Sequence, residues 1–180
     1  MRYSKIVMIK KLVLLLFFVF TALLFGCSPD EKSSHPQKNE YLAGNLSGFN
    51  HVKGTNVNWF TVNGYGGRVG GFTCCIVQPE KWHPNLTAEV EWEVDPDPYP
   101  KNIPTFDSGN FPEFAKKHEA NYRQYKTTVN IPEYTETCGL TVHFLPCQQV
   151  KVTTSCYSKS HPDYPIKDAF DQEEPASCQK

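Results

Sequence analysis

Leu86-Thr87-Ala88-Glu89-Val90-Glu91-Trp92-Glu93-Val94 decides the fold class of this 180-residue chain. Leu86, Ala88, Val90, Trp92 and Val94 alternate with Thr87, Glu89, Glu91 and Glu93. Successive side chains of a strand point to opposite faces, so sustained period-two alternation predicts a β-strand with one buried face and one wet, acidic face. The three glutamates lie in line along the wet face, and no turn converges them. They read as a solvated sheet face, and no metal ligand set is expected there.

Working outward, Trp59-Phe60-Thr61-Val62-Asn63 predicts a second strand, rich in aromatic and β-branched residues. It runs into Gly64-Tyr65-Gly66-Gly67-Arg68-Val69-Gly70-Gly71, whose glycines predict a turn or bulge loop. That loop lacks the Lys-Ser/Thr of a phosphate-binding loop, and no helix pattern follows it. Phe72 to Val77 returns as a strand carrying the adjacent pair Cys74-Cys75. On the other side, Asp95 to Phe111 is studded with proline, which forbids a ladder and predicts a long irregular loop of the kind that often carries function. Pro112 to Tyr125 predicts one amphipathic helix against a sheet edge. Phe114, His118 and Tyr122 recur every fourth residue on one face, joined by Tyr125. The expectation is a mainly β domain, an antiparallel sandwich or barrel-like sheet with one helix, stapled by disulfides.

The last ordered unit reads as a hairpin. Leu140, Val142 and Phe144 alternate, as do Val150, Val152 and Thr154, with Pro146-Cys147-Gln148 between them. A turn centred on Cys147 aligns both apolar faces and sets Cys138 opposite Cys156. Opposed strand residues lie about 4.5–5.5 Å apart, within disulfide reach. Adjacent cysteines rarely bond each other, so Cys74 and Cys75 are expected to find separate partners in Cys147 and Cys178. The polar tail from Ser158 to Lys180 is expected to be irregular and held in part by Cys178.

The N-terminus reads as an export signal. Arg2, Lys5, Lys10 and Lys11 precede an apolar core from Leu12 to Phe25, shorter than the roughly 20 residues of a membrane span. Leu24-Phe25-Gly26-Cys27 resembles the lipobox of bacterial lipoproteins, which implies cleavage before Cys27 and lipidation of its thiol. Ser28 implies sorting to the periplasmic face of the outer membrane. The expected organisation is a signal peptide over 1–26, a polar, Pro-containing tether over 27–40, and a single domain over 41–180. The leader holds four of the 18 basic residues and none of the 19 acidic ones, so the mature chain carries a net charge of −5. That balance speaks against nucleic-acid binding. Export places Cys74, Cys75, Cys138, Cys147, Cys156 and Cys178 where disulfides form.

No catalytic motif stands out. There is no Gly-x-Ser-x-Gly, no His-Glu-x-x-His and no pair of Cys-x-x-Cys knuckles. The six histidines (His35, His51, His83, His118, His143, His161) are scattered along the chain. A binding protein without enzyme activity or cofactor is the expectation.

Two segments carry a family resemblance. One runs from Phe60-Thr61-Val62-Asn63-Gly64 through Cys74-Cys75, Pro79, Trp82 and Pro84 to Trp92. The other runs from Val142-His143-Phe144-Leu145 through Val150-Lys151-Val152 to His161-Pro162-Asp163-Tyr164-Pro165. Together they resemble a family of Gram-negative lipoproteins, defined as a domain of unknown function, whose members are immunity proteins against type VI secretion phospholipases. The resemblance implies a lipid-anchored inhibitor that binds its lipase in the periplasm, with no catalytic residues to carry over. The exposed candidates for that contact are Tyr65 and Arg68 in the glycine-rich stretch and Tyr99 and Phe106 in the proline-rich loop. The alternative is a scaffold or assembly lipoprotein of an envelope machine.

Overall fold

The computed structural model describes residues 40–178. The leader, Cys27 and nearly all of the tether therefore lie outside the described residues. Among those described, no helix is long and apolar enough to cross a membrane.

The sheet is built around its first strand. β1 (Tyr41–Asn50) pairs antiparallel with β4 (Phe72–Pro79) through residues 41–47, then parallel with β3 (Tyr65–Val69) at Ser47 and Gly48. Its other edge pairs parallel with β7 (Gly139–Leu145). β2 (Asn56–Val62) lies between β3 and β5 (Thr87–Asp95), and β6 (Arg123–Asn130) lies outside β5. β8 (Gln149–Thr153) lies outside β7, so the order is β6-β5-β2-β3-β1-β7-β8. The sheet curls on itself into a nearly closed barrel. Trp92 on β5 and Phe144 on β7, separated in that order by three strands, meet at a tilt with ring centroids 5.6 Å apart. Phe60 meets the same Phe144 at 5.3 Å, and Leu46, Val62, Val90, Leu140 and Val142 complete an apolar interior.

The alternation over 86–94 has its expected outcome: Ala88, Val90 and Trp92 are buried, while the glutamates face outward. The glycine-rich stretch has it only in part. Its ends do turn: Asn63 and Gly64, both at positive φ (50° and 82°), make the two-residue hairpin between β2 and β3, and Gly70, at φ 72°, turns the chain into β4. Between them Tyr65 to Val69 is a strand, in which Gly67 serves close packing, since a Cβ there would run into the Phe60 ring.

The helix is shorter than expected. α1 spans Phe111–Glu119, and Arg123–Asn130 is β6, paired with β5 along its whole length. The β-branched run Thr127-Thr128-Val129 and the packing of Tyr125 on Trp92 (5.4 Å) outweigh the helical spacing of Tyr122 and Tyr125. Phe114, His118 and Tyr122 still meet in a row, at 6.1 and 5.5 Å, although Tyr122 lies beyond the helix end.

The 140–154 hairpin takes the expected register, with Thr141 opposite Thr153 and Leu145 opposite Gln149. Cys138 and Cys156 accordingly lie 5.0 Å apart at Cα and are bonded. The other cysteines depart from expectation. Cys147 pairs with Cys178, and Cys74 pairs with its neighbour Cys75. The tail returns over the 146–148 turn, so Cys178 reaches Cys147 and no distant partner remains for the adjacent pair. Cys75 itself occupies a bulge: Gly44 pairs with Ile76 and Asn45 with Cys74, so both cysteine side chains are exposed on β4.

Candidate interaction surface

The acidic face of β5 is hydrogen-bonded by its neighbours and only partly balanced in charge, with one lysine to three glutamates. Lys126 reaches Glu89 (2.8 Å) and Glu91 (2.7 Å), and those hydrogen bonds raise its pKa. Glu93 accepts from Gln124 (3.0 Å) and Asn58 (3.2 Å). Within the described residues the one cluster of three potential metal donors is Cys147, Glu174 and Cys178. Two of those sulfurs are bonded to each other, and Glu174 already accepts the Cys147 N–H at 2.8 Å, so the cluster is a structural staple.

The β5–β6 connection is the most exposed apolar feature. It leaves the sheet after Asp95, and its base is fixed there. The buried Asp95 carboxylate accepts from His118 Nε2 (3.0 Å) and from the Asp97 N–H (2.9 Å), tying α1 to the end of β5. Beyond that tie, Thr105 O accepts from the Ser108 N–H and Phe106 packs on Phe111 (5.2 Å). Tyr99 and Phe106 are each 87 % exposed and Ile103 is 55 % exposed. No residue of α1 is buried. The segment is an ordered aromatic projection on a disulfide-stapled barrel, the arrangement in which anchor residues meet a partner pocket at small entropic cost.

Tyr65 and Arg68 are exposed too, but elsewhere. Asn56 pairs with Asp95 at one end of β2 and Val62 pairs with Tyr65 at the other. Six strand residues, about 20 Å, therefore separate the Tyr65 turn from the base of the projection. Arg68 lies between, on β3. The structure does not gather the four candidates into one patch.

The sequence reading missed a buried polar chain. His51 and His143, remote in sequence, are both fully buried, with His51 Nε2 2.8 Å from His143 Nδ1. His51 Nδ1 lies 2.7 Å from the Ala169 carbonyl, which can only accept, so this nitrogen carries the proton. His143 Nδ1–H must then donate to His51 Nε2, and the Tyr164 hydroxyl donates to His143 Nε2 at 2.7 Å. Burial first, then the neighbouring His51 and Lys159, lower the His143 pKa to about 3. Phe170 stacks on His51 (4.6 Å), and Lys159 Nζ lies 3.3 Å from the centroid of the Phe170 ring, where burial lowers the lysine pKa. These contacts fasten the C-terminal tail over β1 and β7. A histidine pair with every ring nitrogen committed and no exposure is a latch and offers no free base for catalysis. The signal in the sequence was Tyr164, Ile166 and Phe170 in an otherwise polar tail, and a β7 apolar on both faces.

No curated protein and no solved structure matches the chain. A family model does match residues 49–152, from the end of β1 to β8, and so contains most of the barrel and the whole β5–β6 projection. The chain belongs to the family described as protein of unknown function (DUF3304).

Proposed function

We propose that this protein is a lipid-anchored immunity protein that binds a phospholipase effector of a type VI secretion system and blocks it at the periplasmic face of the outer membrane. The observation that supports this reading best is the 96–111 projection, whose Tyr99, Ile103 and Phe106 stand exposed on a rigid base. Inhibition by occlusion needs an apolar plug and no chemistry, and every buried titratable group of the tail latch is already committed. An anchor on Cys27 raises the inhibitor's effective concentration at the membrane the lipase attacks.

The test is co-purification of residues 41–180 with a phospholipase effector encoded beside it, followed by a phospholipase assay. A stoichiometric complex with lost activity is expected. Tyr99→Ala with Phe106→Ala is expected to weaken it by roughly thirtyfold, the factor given by about 2 kcal/mol at a hot spot. Absence of a complex at micromolar concentration refutes the reading and favours the envelope scaffold.

A further inference from the structure

The outer face of β1 and β4 is apolar where a wet sheet face is ordinarily charged. Leu46 is buried in the barrel, so Tyr41, Ala43, Asn45 and Ser47 point to the outside, and the first three are exposed. Directly paired residues share a face, which adds Pro79, Val77, Cys74 and Phe72 from β4. Tyr41 is 57 % exposed, Phe72 68 % and Val77 43 %. No charged residue occurs from Tyr41 to Asn50 or from Val69 to Pro79. In β1, β3 and β4 the one charged side chain is Arg68, which its pairing with Ser47 puts on the same outer face beside Phe72. The outer face of β5 and β6 differs, with Glu89, Glu91, Glu93 and Lys126 in two neighbouring strands.

Two further facts select what covers this face. The chain enters the domain at Tyr41, and the fourteen residues from Cys27 to Glu40 reach at most about 48 Å when fully extended. The Tyr41 end of β1 is thus the part of the barrel tied nearest to an anchor on Cys27. That end is also remote from the 96–111 projection. Ser47 pairs with Arg68 in parallel strands, so Tyr41 lies at the Tyr65 end of the barrel. The projection leaves after Asp95, which pairs with Asn56 at the other end of β2.

We propose that the outer face of β1 and β4 rests on the phospholipid bilayer, with Tyr41, Phe72 and Val77 in the headgroup–acyl boundary and Arg68 against lipid phosphate. The inference rests on the lipid anchor of the preceding reading and is independent of which protein the projection meets. Aromatic side chains favour that boundary, and a weak contact beside an anchor acts at high effective concentration. The contact gives the tethered domain one orientation, with the projection turned away from the membrane.

The experiment places the full acylated chain in vesicles of phosphatidylethanolamine and phosphatidylglycerol that contain a phospholipid with a photoactivatable diazirine near its glycerol. Irradiation, digestion and mass spectrometry then map the lipid adducts. Adducts concentrated in 41–47 and 68–79, about tenfold above those in 87–95 and 99–106, are expected. Phe72→Ser with Val77→Ser changes two exposed side chains and is expected to lower the yield on this face about tenfold, while Phe72→Leu retains it. Adducts spread evenly, adducts gathered at 99–106, or a yield indifferent to the serine variant overturns the proposal. So does a dimer in detergent whose 41–47 and 72–79 amides are protected from exchange, which makes a second copy the occupant. The mass of the N-terminal peptide reports the acyl group on Cys27, and its absence removes the anchor and this inference together. A chain that is acylated and inhibits its lipase, yet gives no adducts on this face, refutes this inference alone.

Discussion

Mild acid is expected to destabilise this protein through His143. The imidazole is fully buried, and its pKa is lowered from 6.5 to about 3 by burial, His51 and Lys159. Between those two values the unfolded chain binds a proton that the folded chain refuses, so stability falls as pH falls. The slope approaches about 1.4 kcal/mol per pH unit, and from pH 6.5 to 4.5 the loss is about 2.3 kcal/mol, because the unfolded histidine is already half protonated at pH 6.5. The effect levels off near the folded value, and about one unit above the unfolded value it has vanished. Asp168, lowered chiefly by its hydrogen bond with Lys151, loses its contribution only below this window. Glu80, raised by its hydrogen bond with Glu40, acts in the opposite sense. A His143→Gln variant retains both carboxylates and so isolates the histidine. With a urea dependence of roughly 2 kcal/mol per molar, the wild-type midpoint should drop by about 1.2 M between pH 6.5 and 4.5. The variant should show a flatter profile. A wild-type midpoint that does not move, or a variant with the same slope, refutes the argument.

Four further expectations concern stability. Tyr164→Phe leaves His143 Nε2 buried without its donor and should cost about 1–3 kcal/mol, read as a lowered thermal midpoint. Gly67→Ala drives a methyl group into the Phe60 ring and should cost about 1–3 kcal/mol, partly recovered by adding Phe60→Leu, which thermal unfolding of the pair would measure. Breaking the Cys138–Cys156 bridge, which spans 18 residues, should lose roughly 3 kcal/mol in urea under oxidising conditions. Replacing both Cys74 and Cys75 by serine closes no loop in the unfolded chain and should lose less than about 0.5 kcal/mol.

Legibility followed the range of the interaction. The 86–94 strand, the 140–154 hairpin and its Cys138–Cys156 bridge are encoded by local alternation and turn placement, and they were read correctly. The middle of the glycine-rich stretch is a strand because Gly67 answers to the Phe60 ring in the neighbouring strand, a packing demand invisible within the stretch itself. Residues 123–125 fitted a helical spacing until pairing with β5 fixed them as a strand. His51 and His143 meet through a sheet order that no local pattern states. Tyr65, Arg68, Tyr99 and Phe106 are all exposed, but their separation along β2 depends on which strand ends are neighbours, which no local pattern states.

The central position of β1 also dictates an order of assembly. β1, the first described strand, binds β7 on one edge, and in an exported chain Asn45 meets Gly139 only after the 94 positions that separate them have also crossed the membrane. Until then one edge of the strand lacks its native partner, so this domain cannot fold progressively from its N-terminus. Its nucleus must assemble late, from distant segments, and a chain of this topology is expected to fold slowly and to need protection from other strand edges until β7 arrives.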